Sequence, residues 1–294
     1  MAAGYRIFNV TLKQRIQVTP SLLRCVFTGD DVAEMKLESP DQRIKLLFAG
    51  EDGYCKTMPV SDGWYQDFLA LPKEQRPVMR TYTLRALRQE AKEADVEFVL
   101  HGETGPASRW AMHATPGTKM QIVAPNGASL EDSGGYEWIW HEGIRQALLI
   151  ADETAVPAAV GILEQLAKLP APPEVQAFFE VPQLADAQTG DFPFAEIHWL
   201  GRDDHAPHGE RLLAAIRENL TLPDCARVAE QSLEEKSLAE DTIWERAEGK
   251  HAFSAWVAAE SGVVKKVRHC LIDEYQLDRE VVNFMAYWTQ GRGR

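Results

Sequence analysis

From Tyr5 to Val123 apolar and polar positions alternate in short runs of period two, with turn-forming residues between the runs. Alternation of this kind turns one side of a strand toward a core and the other toward water. It predicts strands over residues 10–17 and 22–27, broken at Thr19-Pro20-Ser21, and further strands over 44–48, 80–85, 95–101 and 119–123. Residues 50–78 hold Trp64, Tyr65 and Phe68 among glycines, prolines and aspartates, which reads as a long loop with one short turn of helix. Many short strands with little helix predict a small antiparallel β-barrel.

After Gln146 the pattern changes. Ala147-Leu148-Leu149-Ile150 is an unbroken apolar run, as in a parallel strand covered on both faces. It leads into a helix over 158–169 that stops at Pro170, with Thr154 as the expected N-cap and Pro157 in the first turn. Strands over 175–181, 197–200 and 255–258 and helices over 210–219 and 263–275 continue the alternation, which predicts an α/β open parallel sheet. Residues 226–250 are acidic and helix-favouring and read as a helical insert. The polar, glycine-containing stretch 134–144 sets the boundary, giving domains 1–140 and 141–294, with Trp138 and Trp140 expected to pack along the linker.

Composition narrows the setting. A chain of 294 residues that is 45% hydrophobic and 26% charged suits two ordinary globular domains. Its formal net charge of -13 disfavours nucleic acid and anionic membrane surfaces, so an anionic small ligand would need a local basic pocket. No charged start followed by an apolar run marks a signal peptide, and no apolar run is long enough to span a bilayer. Cys25, Cys55, Cys225 and Cys270 lie far apart without a C-x-x-C pair, which disfavours a disulfide scaffold and a metal site. The expectation is a cytoplasmic protein, a monomer or weak dimer, with no protein-held metal.

Three stretches carry candidate chemistry. Arg80-Thr81-Tyr82-Thr83-Leu84-Arg85, read as one strand, offers a ring to stack on, hydroxyls to hydrogen-bond and guanidinium groups for phosphate, a combination suited to a flavin. His101-Gly102-Glu103-Thr104-Gly105-Pro106-Ala107-Ser108 joins a strand to a helix start. Pro106 fits the first helical position, Gly105 permits close approach, and the free N–H groups of Ala107, Ser108 and their neighbours would face an anion such as pyrophosphate. Asp152, Thr154 and Pro157 follow the apolar strand at its C-terminal end, where open α/β sheets bind ligands. No G-x-G-x-x-G occurs.

These stretches resemble the siderophore-interacting proteins, a branch of the ferredoxin-reductase-like flavoproteins. The family's R-x-Y-T-x-R is Arg80, Tyr82, Thr83 and Arg85, and its H-G-x-x-G-P-A-S-x-W-A runs from His101 to Trp110 and Ala111. Its D-E-T-A-x-P-A is residues 152–158, its W-x-A-x-E is Trp256, Ala258 and Glu260, and its F-M-x-Y-W is Phe284, Met285, Tyr287 and Trp288. The resemblance implies FAD on the barrel and NAD(P)H on the second domain. It implies Tyr82 against the isoalloxazine, Thr81 and Thr83 beside it with Thr83 near the reactive N5, and Arg80 with the 107–110 turn on the diphosphate. His101, Arg85 and Trp110 would adjoin that cofactor, and Asp152, Thr154, Pro157, Glu260 and Trp288 would line the second domain's edge. The implied activity is reduction of Fe(III) held by a siderophore, with Lys45, Lys266 and Arg268, and beside them Arg43 and Lys265, as candidate substrate contacts. A ferredoxin-dependent or general flavin reductase, and a non-catalytic siderophore-binding protein, are the readings that stay open beside it.

Overall fold

The computed structural model describes residues 4–203, 205–229 and 242–292. The chain divides after Tyr136 into two compact units. In the first, β1 (Tyr5–Thr19), β2 (Leu22–Thr28) and β3 (Arg43–Phe48) precede a helix α1 (Trp64–Ala70). Then follow β4 (Val78–Thr83), β5 (Ala86–Arg88), β6 (Glu93–Val99), α2 (Pro106–His113) and β7 (Lys119–Pro125). The strands form one sheet in the order β4-β3-β7-β1-β2-β6-β5, with every pairing antiparallel.

Alternation decides what each face of that sheet does. In the β3–β4 register Ile44 faces Tyr82 and Leu46 faces Arg80, whereas Lys45 faces Thr81 and Leu47 faces Met79. The first set joins the core of Phe8, Leu12, Phe27, Ile122 and Phe98, into which α2 inserts Ala107 and Ala111. The second set is covered in part by α1, whose Trp64 is buried with Ile7, Leu47 and Val123. The loop expected at 50–78 thus contains a helix of two turns, held by one buried indole whose truncation would cost about 3–5 kcal/mol.

The second unit consists of β8 (Gln146–Ala151), α3 (Val156–Ala167), β9 (Glu174–Val181), β10 (Ala195–Gly201), α4 (Glu210–Asn219), β11 (Trp244–Glu245), β12 (Phe253–Glu260), α5 (Ser261–His269) and β13 (Val282–Trp288). Its sheet order is β10-β9-β8-β12-β13-β11, parallel throughout except for β11. The winding therefore reverses between β8 and β12. One face carries Leu149, Phe179 and Trp256 against α3, and the other carries Ile150, Phe178, Val257 and Phe284 against α4 and α5.

Some expectations need correction. Trp138 is core rather than linker packing: it is 1% exposed and its Nε1 donates to Gln165 at 2.8 Å. Helix α5 ends at His269, where a π-helical turn over Cys270–Glu274 takes over. Within the expected insert, Trp244 and Glu245 form an edge strand on β13, with Trp244 stacked on Tyr287 at 6.1 Å. Residues 230–241 of that stretch lie outside the described residues. Among the described residues no helix is long and apolar enough to cross a membrane.

Candidate functional site

In the first unit the chemistry-bearing residues gather on the edge strand β4 and at the start of α2. The strand ends at Thr83 and not at Arg85, because Leu84 N–H donates to Gln42 O and Arg85 N–H to Asp95 O. Tyr82 is half-buried, with its ring 4.6 Å from that of Phe98 and 6.5 Å from that of Phe48. Burial pushes its phenol pKa well up, against the opposing pull of the Arg80 cation. Arg80 is half-buried on the same face. Burial lowers its pKa, and among the described residues its guanidinium contacts only the Met79 carbonyl, at 2.9 Å. Thr83 is buried at the strand end, while Thr81 lies on the face opposite Arg80 and Tyr82, where its Oγ1 accepts from Lys45 Nζ at 2.8 Å.

Helix α2 begins with Pro106 in its first turn, no side-chain cap and no acidic residue there, so its first N–H groups are left for another acceptor. Gly102 in the preceding loop has φ of +81°, and a Cβ on Gly102 or Gly105 would meet nothing within 4 Å, so the approach to the helix start is open. His101 Nδ1 pairs with Thr104 Oγ1 at 2.7 Å, and its Nε2 lies 3.4 Å from the buried Ser108 Oγ. Trp110 packs against Phe98 at 5.5 Å and Phe48 at 6.0 Å. The ring expected near a cofactor also fixes α2 to the sheet, and Tyr82, Phe48, Phe98 and Trp110 tie β4 to that helix. A half-buried cation lacking a carboxylate, an uncapped helix start and an open glycine loop fit an anionic, ring-bearing group such as FAD.

In the second unit the expected residues meet at the C-terminal ends of β8, β12 and β13, beside the winding reversal. Asp152 is 1% exposed and all its acceptor capacity is used within the chain. Its Oδ1 accepts from Thr154 N–H at 2.9 Å and Thr154 Oγ1 at 2.6 Å, and its Oδ2 from Glu260 N–H at 2.8 Å and Trp288 Nε1 at 2.7 Å. Burial, helped by the Glu153 charge, pushes its pKa up to about 7, while the Thr154 and Trp288 donors pull the other way. Thr154 does not cap α3: the N-cap position is Ala155 without a side-chain cap, the Asp152 carbonyl accepts Ala155 and Val156 N–H at 3.0 and 2.9 Å, and the helix starts at Val156 with Pro157 buried in its first turn. Glu260 caps α5 through Val263 N–H at 3.1 Å and also accepts Gln290 N–H at 3.1 Å. Trp288 lies edge-on to His208 at 5.2 Å.

Two arginine assignments do not fit the geometry. Arg85 Nε donates to Glu97 at 2.8 Å with both side chains buried, so that guanidinium holds an ion pair instead of an open anion site. Arg268 Nε spans both oxygens of Glu245 at 3.0 and 3.1 Å, which commits it to β11 and removes it from the substrate candidates. Lys266 is exposed on α5, and Lys45 sits on the sheet face opposite Arg80 and Tyr82. Sequence reasoning passed over a cluster beyond β8, β9 and β10. Arg202 donates to Glu153 at 2.6 and 3.0 Å and to Glu180 at 2.9 Å, and Glu180 accepts Gly209 N–H at 3.0 and 3.1 Å. Its sequence signal was a lone carboxylate in the otherwise apolar run Phe178, Phe179, Val181.

An antiparallel sheet bearing the flavin-type strand, followed by a parallel sheet with its winding reversal, defines the ferredoxin-reductase-like class. The fold agrees with the ferredoxin reductase of a carbazole 1,9a-dioxygenase, at a TM-score of 0.59 and 13% identity over 97% of this chain and 70% of that one. The chain belongs to the siderophore-interacting protein family: residues 11–129 match the siderophore-interacting FAD-binding domain, and residues 144–291 the siderophore-interacting protein domain. It resembles a siderophore utilization protein from T. fusca, with TM-score 0.75 and 25% identity over 100% of this chain and 96% of that one. The ferric vibriobactin reductase of Vibrio cholerae is 28% identical over 94% of this chain and 86% of its own length. The NADPH-dependent ferric-chelate reductase of Escherichia coli is 25% identical over 96% and 93%.

Proposed function

We propose that this chain is a ferric-siderophore reductase that uses NAD(P)H as donor, binds FAD on its first unit, and works in a reducing, cytoplasmic setting. The observation that carries the reading is Arg80, a half-buried guanidinium that meets no carboxylate among the described residues and shares a sheet face with Tyr82. When bound, FAD would supply the change from two-electron donor to one-electron acceptor chemistry. Arg80 and the free N–H groups at the start of α2 would hold its diphosphate, Tyr82 would pack on its ring system, and Thr83 would offer a hydroxyl hydrogen bond to it. Asp152 would act through position, fixing the ends of three strands and the Trp288 ring rather than touching a ligand. The reductases of V. cholerae and E. coli support a ferric chelate as acceptor, and the NADPH dependence in the latter's name supports a nicotinamide donor.

Hard oxygen ligands hold Fe(II) less firmly than Fe(III), so one-electron reduction frees the metal. Lys45 would offer positive charge to an anionic chelate on a molecule whose net charge is -13. The deciding experiment is anaerobic addition of NADH or NADPH to the purified protein, followed by ferric siderophore with an Fe(II) chelator present. The expected course is a yellow protein that bleaches with the nicotinamide and recovers as the Fe(II) complex forms. A yellow protein that bleaches only with reduced ferredoxin would overturn the donor, and a colourless protein that binds the siderophore would overturn the enzyme.

A further inference from the structure

We infer that the donor site takes NADH in preference to NADPH, and that Glu153, Glu180 and Arg202 set this choice. The inference rests on the reading that a nicotinamide dinucleotide is the donor. In open sheets that bind dinucleotides at the winding reversal, the adenosine ribose lies near the ends of the strands succeeding the first. A carboxylate there suits a 2′-hydroxyl, and an arginine suits a 2′-phosphate. Here β8 is the first strand, β9 the second and β10 the third, and their ends carry Glu153, Glu180 and Arg202.

Taken alone, Arg202 would read as a phosphate-binding arginine. Its surroundings remove it from that role. Both its terminal nitrogens bind Glu153 and one also binds Glu180, and the three side chains are 10%, 12% and 1% exposed. Glu180 cannot move away without abandoning Gly209 N–H, whose glycine has φ of +83° and already lies close to Val263. Two carboxylates around one guanidinium leave the cluster net negative. The turns beyond β9 and β10 add Asp186, which is buried, and Asp203, which accepts Leu184 N–H at 2.9 Å. Of the other basic groups there, Arg211 donates to the Gly201 carbonyl, and His205 and His208 complete the set among the described residues. A phosphate monoester carries a charge of about −1.5 to −2 at pH 7 and would meet this excess of carboxylate, whereas a ribose hydroxyl would find its acceptor in Glu153 or Asp203, the less buried carboxylates.

The test is calorimetric titration of the oxidised, FAD-loaded full-length protein with NAD⁺ and NADP⁺, which bind without reducing it, and with adenosine 2′-phosphate as a competitor. The expected result is NAD⁺ bound about tenfold or more tighter than NADP⁺, with no competition from adenosine 2′-phosphate. Glu180→Gln should narrow that ratio several-fold by removing one of the two negative charges held against Arg202. Glu153→Gln, at the less buried position, is the second variant should the first fail to fold. Equal or tighter NADP⁺ binding by the unaltered protein, or an unchanged ratio in a folded variant, would overturn the selectivity alone. Failure of both nucleotides to bind would remove the nicotinamide donor and the inference with it.

Discussion

Arginines in the first unit divide by what they meet. Among the described residues Arg6, Arg85 and Arg88 contact Asp31, Glu97 and Glu93 at 3.0, 2.8 and 2.9 Å, whereas Arg15, Arg76 and Arg80 meet carbonyls, and of these three it is Arg80 that lies beside Tyr82 on β4. A half-buried cation without a counter-charge is costly, and an incoming anion relieves that cost. Arg80→Ala should therefore weaken FAD binding by about 1.5–3 kcal/mol, the range for hydrogen bonds to charged groups, while leaving the flavin-free protein as stable as before or more so. Flavin titration and a thermal melt of the apoprotein check the two halves, and an apoprotein that melts well below the unaltered one would sink the argument. Arg85→Ala should behave in the opposite way. Among the described residues Glu97 would be left buried with Arg24 alone, at 3.6 Å, so stability should fall by roughly 3 kcal/mol or more, with flavin loss only as a consequence. At Tyr82 the ring matters more than the hydroxyl. Tyr82→Phe should retain FAD within a few-fold, and Tyr82→Ala should lose about 1–3 kcal/mol of stacking; equal retention by both would remove the ring from the site.

At the scale of elements, sequence periodicity located most strands, because a face that is wet on one side leaves alternation behind and a strand covered on both sides leaves an apolar run. Less visible were the features set by partners far along the chain. Thr83 ends β4 because the Gln42 carbonyl captures the next N–H, and Arg268 is removed from the surface by Glu245 on a two-residue edge strand. The motif around Asp152 was legible, but its task was not, since Glu260 and Trp288 reach it from two other strands. That task has a pH signature. A carboxyl whose pKa is higher folded than unfolded stabilises the fold below the ordinary carboxylate range, and that contribution is lost as pH rises toward about 7. The stability of the second unit should accordingly fall between about pH 4 and 7 by an amount that Asp152→Asn abolishes. Asp152→Asn should itself be less stable at every pH, because its amide nitrogen would face a backbone or indole donor. Trp288 fluorescence should follow the same titration through the indole hydrogen bond; a midpoint near 4 in the unaltered protein would show that the four donors outweigh burial.

On the scale of the whole molecule, charge works against every proposed ligand. The chain carries -13 while FAD, the nicotinamide donor and an anionic ferric siderophore are all negative, so long-range repulsion opposes encounter, and in the proposed acceptor site a local group such as Lys45 would offset it at short range. Salt screens these two effects unequally. The Debye length shrinks from about 30 Å at 0.01 M to about 8 Å at 0.15 M, which suppresses repulsion from the distant surface while leaving a contact of a few ångströms largely intact. The KM for an anionic ferric siderophore should therefore fall as salt is raised over this range, whereas that for an uncharged ferric chelate should stay level. Lys45→Glu should raise the KM for the anionic acceptor and steepen its salt dependence, without a matching change for the nicotinamide. A KM for the anionic acceptor that climbs with salt would mean that local basic groups already dominate at long range, and an equal effect of Lys45→Glu on donor and acceptor would take that lysine out of the acceptor site.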